Sequence, residues 1–472
     1  SALKSLVNMK SFGLNVCSDS LLPLVYTGTK APMLFVVADD PSCWSSAQSE
    51  QDSRGYAYLA RIPTLEPSDP QECRDFTKLG FEISEKFNVP VILRITTRVA
   101  HQKMPVEFNE AGKKTQKKGE FIKNPHQFST MPPRTMEMKK ELLEKLEKIK
   151  AYAEKLNINP IIKSKKAAKI GVIATGVSYL YVMEALKELK IDASVLKINL
   201  FYPLAEKTIY QFIKGFKKVL AVEELDSYLE KEIKVIAKDA SLKLQVFGKN
   251  LLPEAGELDA EKICVALAKI TGKKFKPVKT KVLSLPRRTA RLCEGCPYWF
   301  VFPVLKRIAP EAIFGGDIGC NMIAGLPPHD MHDYLFSMGA SLGISHGVKK
   351  STSQKVISIM GDGTFFHAGI PALINAVYNK SNPLVVILDN RITAMTGHQQ
   401  NPGMGKTGMG EDTEELKIEE IAKACGVKHI KVLDPANVKE LEDAEKEFLE
   451  KDEVSVIICR RICALLSKRQ GK

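Results

Sequence analysis

The sequence predicts a multi-domain α/β protein built on parallel sheets flanked by helices, and three observations carry that prediction. Short runs rich in Val, Ile and Leu alternate with helix-length amphipathic stretches, the βαβ rhythm of a parallel sheet. Two of these runs, 356–360 and 384–388, end in the polar turns Gly361-Asp362-Gly363 and Asp389-Asn390, and open α/β sheets bind ligands at the carboxyl ends of their strands. The 472 residues, 44% of them apolar, suffice for about three hydrophobic cores.

In chain order, the first region spans 1–106. A strand is expected over 33–38, followed by the turn Asp39-Asp40-Pro41 and a helix-prone stretch after Ser45. A helix over 72–86 leads into a second apolar segment at 89–95. Residues 107–167 read as a Lys-rich linker or surface arm, punctuated by Gly and Pro to 133, and then a charged amphipathic helix over 136–156. The next region, 168–280, opens with a strand at 170–174, turns at Thr175-Gly176 and continues into a helix over 179–189. Strands follow at 193–198 and 218–222, and the region ends in the linker KKFKPVKTK. The last region, 281–472, holds the Gly361 and Asn390 turns and a final apolar strand over 454–458.

Composition excludes several classes of function. No run approaches the ~18 apolar residues that cross a bilayer, and the opening SALKSLVNMK lacks the pattern of a signal peptide, so no membrane association is expected. The ten cysteines are mostly scattered in apolar surroundings, which argues for a reducing cytoplasm over a disulfide framework. The net charge of +14 comes largely from Lys in amphipathic helices and at 113–118. With no aromatic residues interleaved in that run, it reads as a solvated face or an attraction to an acidic protein, and nucleic acid is not expected as a partner.

Chemistry concentrates in the last region. Glycines at 361 and 363 let backbone N–H groups approach a phosphate, while Asp362 and Asn390 offer the hard oxygen ligands that Mg²⁺ or Ca²⁺ prefers. These two residues lie 28 positions apart, enough for one helical crossover between adjacent parallel strands. Four cysteines share the region: Cys293 and Cys296 in a C-x-x-C turn, Cys320 in GGDIGC, and Cys463 beyond the final strand. Four thiolates suit a [4Fe–4S] cluster or Zn²⁺, and buried thiols without a metal are the third reading. Cys459 competes for the fourth position, but it lies at the end of the predicted strand, where a buried cysteine is ordinary. Cys463 falls at the carboxyl edge and is preferred.

The GDG turn and the closing Asn resemble the thiamine diphosphate motif. LCEGCP, GDIGC, MGASLGISHG, GDGTFFHAGIPALINAVYNK and ILDNRITAMTGHQQNPG, with MKSFGLNV, VVADDPS and SEQDSRGYAYLARIPTLEPSDPQE nearer the start, are together similar to the large subunit of the indolepyruvate ferredoxin oxidoreductase family. The resemblance covers nearly the whole chain. It implies a pyrimidine-binding-type thiamine diphosphate domain over 1–106, a transketolase C-terminal-like domain over 168–280, and a diphosphate-binding domain with the cysteine site over 281–472. It further implies oxidative decarboxylation of aryl 2-oxoacids with coenzyme A, electrons passing one at a time to ferredoxin, and a smaller partner subunit, two copies of each. Asp362 and Asn390 would bind Mg²⁺ through their side chains and Ile392 through its carbonyl. Gly361, Gly363 and Thr364 would line the diphosphate, with Met338, Gly339 and Ala340 as another wall of the cleft.

His367 and His398 are candidates for acid/base or substrate-orienting roles. Arg391 is a candidate partner for a substrate carboxylate or a phosphate, or forms a surface ion pair. Phe365 and Phe366 read as core rather than as an aryl pocket. Two departures from the family pattern stand out: no Glu matching the one expected to protonate the aminopyrimidine precedes MKSFGLNV, and the two C-x-x-C-x-x-C-x-x-x-C-P runs of a ferredoxin-like domain do not occur. Both segments are expected to be truncated or to reside on other chains. A non-oxidative thiamine-dependent decarboxylase and a non-catalytic scaffold subunit are the alternative functions.

Overall fold

The computed structural model describes residues 3–108, 119–121, 123–156, 158–166, 169–277 and 289–471. The Lys run at 113–118 and the end of the KKFKPVKTK linker lie outside them. The chain divides into two compact units, Ser1–Lys281 and Val282–Lys472.

The first unit holds two five-stranded sheets. One contains β1 (Ser5–Lys10), β2 (Met33–Asp39), β3 (Thr64–Leu65) and β4 (Val91–Thr96). The other contains β5 (Ile161–Ile162), β6 (Gly171–Thr175), β7 (Ser194–Ile198), β9 (Lys218–Val222) and β10 (Gln245–Phe247). Their orders are β1-β2-β4-β3-β8 and β10-β9-β6-β7-β5, where β8 is Leu200–Tyr202. All pairings are parallel except at one edge of each sheet, where β8 runs antiparallel to β3 and β5 antiparallel to β7. Only Asn199 separates β7 from β8, so the chain leaves one sheet and enters the other across a single residue.

Local chemistry sets the helix limits. The helix Pro70–Phe87 starts where the Asp69 carboxylate accepts the Glu72 N–H at 2.9 Å and Pro70 occupies the first turn, and it stops at Asn88 with φ 53°. The charged helix Arg134–Leu156 is more than a linker element. It buries Met138, Leu142, Leu146, Ile149 and Ala153, a stripe at helical spacing that packs into the cores on the first sheet. The helix expected after Ser45 begins only at Arg54. Asp40 accepts the Ser45 N–H and the Ser45 and Ser46 hydroxyls, while Asp39 accepts the N–H and hydroxyl of Ser53. Such local side-chain bonds offer the backbone an alternative to a helix.

The second unit is one sheet, all parallel, ordered β11-β12-β13-β15-β14, from β11 (Ile313–Gly315), β12 (Val356–Gly361), β13 (Leu384–Asp389), β14 (His429–Leu433) and β15 (Ser455–Arg460). β12 and β13 are almost continuously apolar and buried, as expected of strands covered on both faces. One core lies under the helices Tyr298–Ile308 and Val438–Leu449, the other under Ala340–Ser351 and Ile370–Tyr378. Among the described residues, no helix is long and apolar enough to cross a membrane.

Candidate active site

Register brings four strand exits of the second unit to one edge. Gly361 pairs with Leu388, Leu388 with Cys459 and Asp389 with Arg460, while Gly315 pairs with Ser358. The segments that follow therefore emerge side by side: Asp317 to Cys320 after β11, Asp362 after β12, Asn390 after β13 and Cys463 after β15. A direct bond joins two of them, the Cys463 N–H donating to the Asn390 carbonyl at 3.0 Å.

Asp362 opens a short helical turn, which passes through a π-helical turn over Phe365–Gly369 before the helix Ile370–Tyr378. Single π turns inside helices concentrate at functional sites. Gly363 is required by close approach, because a Cβ there would lie 2.5 Å from the Thr393 hydroxyl. Asp362 is 2% exposed. One carboxylate oxygen accepts the Gly363 N–H at 2.8 Å and the other accepts the Asn401 amide at 3.0 Å. Among the described residues no basic side chain pairs with it. Its neighbour Asp389 differs, bonding Arg460 at 2.6 Å with Arg391 at 3.7 Å. Burial first, then the Asp389 charge, push the Asp362 carboxyl up to about 7. A buried carboxylate held only by neutral donors is a fitting ligand for a divalent cation.

Asn390 is buried, and its side-chain oxygen accepts the Ile392 N–H at 3.2 Å. Gly361, Thr364 and Ile392 complete this corner, with the Thr364 hydroxyl 3.4 Å from the Ile318 carbonyl. Across the edge, Gly339 has φ 83°, and a Cβ there would lie 2.6 Å from that of Ala368, so the turn into the helix Ala340–Ser351 demands glycine. Met338 is exposed. Asp317, from the turn after β11, satisfies N–H groups at the start of this helix, a role sequence reasoning missed although GGDIGC contains it. Its carboxylate accepts the N–H groups of Gly339 at 2.9 Å, Ser341 at 3.2 Å and Ile318 at 2.8 Å.

The four expected cysteines lie near enough to influence one another's charge. Burial raises Cys296 to about 12, with Cys320, Cys293 and Cys463 adding to the shift. Burial raises Cys320 to about 11, followed by Cys463, Cys293 and the Asp362 charge. Cys293 is the exposed member. Cys459 stands apart: it is 3% exposed, and the groups that reinforce its burial are Glu445 and Asp434 rather than the other thiols. All ten cysteines are free thiols. Among the described residues, no three or more His, Cys, Asp or Glu side chains close around one metal ion. Tyr298, also missed, feels both groups: it is 4% exposed, and its hydroxyl is shifted far upward by burial and then by Asp362, Cys320, Cys296 and Cys463.

The remaining candidates divide. His367 is exposed on the π turn. His398 has φ 62°, and its Nε2 is buried with no partner among the described residues. Arg391 is engaged within its own loop, donating to the Gly403 carbonyl and the Glu415 carboxylate, each at 2.5 Å. Phe365 is core, and the Phe366 ring packs where a Gly403 side chain would stand.

Comparison with known proteins agrees with this geometry. Residues 317–459 match the family model described as thiamine pyrophosphate enzyme, C-terminal TPP binding domain, and residues 160–286 match an indolepyruvate oxidoreductase domain. Sheet, turns and matched domain together define a thiamine diphosphate-dependent enzyme. Indolepyruvate oxidoreductase subunit IorA of Methanothermobacter marburgensis is 41% identical over 98% of this chain and 76% of its own length. The Pyrococcus abyssi protein of the same name is 41% identical over 100% of this chain and 77% of its own length. Sulfopyruvate decarboxylase subunit beta of Methanocaldococcus jannaschii is 36% identical over 27% of this chain and 62% of its own length. The chain belongs to the IorA family, and is thus a subunit of a 2-oxoacid oxidoreductase.

Proposed function

We propose that this chain is the large subunit of a cytoplasmic enzyme that oxidatively decarboxylates an aryl 2-oxoacid of the indolepyruvate class with coenzyme A. The products are acyl-CoA and CO₂, and two electrons pass to ferredoxin. The observation that carries the reading is the bond from the Cys463 N–H to the Asn390 carbonyl, which ties the cysteine group to the turn that closes the diphosphate motif. Bound thiamine diphosphate supplies the carbon nucleophile and electron sink that decarboxylation needs. Asp362 and Asn390 side chains and the Ile392 carbonyl hold its Mg²⁺, Gly361, Gly363 and Thr364 admit the diphosphate, and Met338, Gly339 and Ala340 form the facing wall. Cys293, Cys296, Cys320 and Cys463 would hold a [4Fe–4S] cluster, which would supply one-electron redox chemistry, with Cys293 as its exposed ligand.

His398, whose buried Nε2 has no partner among the described residues, orients or protonates the substrate, and His367 does so from the exposed side of the π turn. Arg391 acts by closing its loop, since Glu415 already takes its charge. Residues 1–106 serve as the pyrimidine-binding-type domain and 168–280 as the transketolase C-terminal-like domain, and a smaller subunit completes the enzyme.

The test is anaerobic purification with iron and acid-labile sulfide analysis. About four irons per chain are expected, lost in Cys463→Ser and retained in Cys459→Ser. Iron-free protein that decarboxylates at the full rate would replace this reading with the non-oxidative one, which the short match to sulfopyruvate decarboxylase favours.

A further inference from the structure

Asn401 has no assigned role, yet it is the side chain that fixes the metal carboxylate. It is 3% exposed. Its amide nitrogen donates to one Asp362 oxygen at 3.0 Å, and its side-chain oxygen accepts the Gly403 N–H at 3.0 Å, capping the turn Pro402–Met404. The amide can point only one way: rotated, its oxygen would face a carboxylate and its NH₂ would face an N–H.

The segment carrying Asn401 is braced at several points. Thr393 and Gln399 exchange two backbone bonds of 3.0 Å, the Leu416 N–H donates to the Pro402 carbonyl at 3.1 Å, and Arg391 spans from Gly403 to Glu415. The amide therefore reaches Asp362 only when 391–416 is folded in this way.

The residue type matters as much as its place. Lys or Arg at 401 would orient Asp362 equally well but would neutralise it and compete with a cation. A neutral amide takes one lone pair of one oxygen and leaves the full negative charge for the metal. An apolar residue would leave that oxygen buried without its donor.

We propose that Asn401 is a positioning residue for Asp362, through which the braced 391–416 loop sets the cation affinity of the diphosphate site. This rests on the functional reading above. The test uses the complete enzyme with its partner subunit and measures Mg²⁺ binding at saturating thiamine diphosphate by calorimetry. Asn401→Ser keeps a side-chain oxygen to cap the Gly403 N–H but cannot reach Asp362. It is expected to weaken Mg²⁺ binding by about 10–100-fold, with full cofactor occupancy recovered at high Mg²⁺ and, without cofactor, a cooperative melt only slightly below that of the wild type. Wild-type Mg²⁺ affinity in Asn401→Ser would overturn the proposal, as would a loss that high Mg²⁺ cannot restore, which marks a merely structural role. Wild-type enzyme that binds no thiamine diphosphate with Mg²⁺ would instead overturn the functional reading, and this inference with it.

Discussion

Glu66 in the first unit and Asp362 in the second are both buried carboxylates at the carboxyl ends of parallel strands, and their surroundings are opposite. Glu66 accepts a two-pronged bond from Arg54 at 2.7 and 2.9 Å, a third from Arg94 at 3.3 Å, and the Thr175 hydroxyl. Burial alone would raise it, but Arg54 and then Arg94 outweigh burial and hold it at about 2. Asp39, Asp52, Glu223 and Glu224 crowd the same two guanidiniums, and burial pushes Glu223 and Glu224 up to about 7. Asp362 has only neutral donors and, among the described residues, no cation. A buried acid already paired with arginine is part of the architecture, whereas one held by amides alone is a site for something that arrives. Burial by itself separates neither case.

Removing the arginine should break the first half of the comparison most severely. Arg54→Ala leaves Glu66, Asp52 and Glu223 facing one another, and a loss of about 3–5 kcal/mol is expected in urea unfolding. A loss below about 1 kcal/mol would mean that the network does not hold the unit together.

Glu445 extends the series to a carboxylate with no hydrogen-bond partner among the described residues: it is fully buried, and burial raises it to about 9. Its folded-state pKa lies above its unfolded value of about 4.3. The stability it contributes is therefore complete below that value and is lost as pH rises toward about 9. Glu445→Gln should stabilise the protein by on the order of 2 kcal/mol at pH 8 and have little effect at pH 4.5. Melting curves at the two pH values check this, and an equal effect at both would refute a buried neutral acid.

The smallest stability change is expected at Asp362 itself. Asp362→Asn relieves a buried charge and should leave the cofactor-free protein as stable or up to about 1 kcal/mol more so, while Mg²⁺-dependent thiamine diphosphate binding drops to background. Wild-type binding in that variant would remove the metal assignment.

How far the sequence reaches follows from the same contrast. The GDG and DN turns, and the preference for Cys463 over Cys459, depend on local position at strand ends, which an apolar run and a turn residue announce. The charge network of Arg54, Arg94 and Glu66 is silent in sequence, because its members look like ordinary surface residues until the strands place them together. Asn401 and Asp317 are silent for a similar reason: each acts on a partner at least 22 positions away. The opening strand Ser5–Lys10, too, shows no long apolar run, having Asn8 and Lys10 among its six residues.

The single residue between β7 and β8 bears on how this chain can be cut. Asn199 is gripped on both sides, with its N–H donated to the Asn159 side chain at 2.8 Å and its carbonyl accepting the Glu66 N–H at 2.9 Å. A fragment ending before it would strip β8 from β3 and leave an unpaired edge, inviting intermolecular strand pairing. For dissection, a piece that keeps the first sheet must run past Tyr202, and so carries β5, β6 and β7 of the second sheet with it.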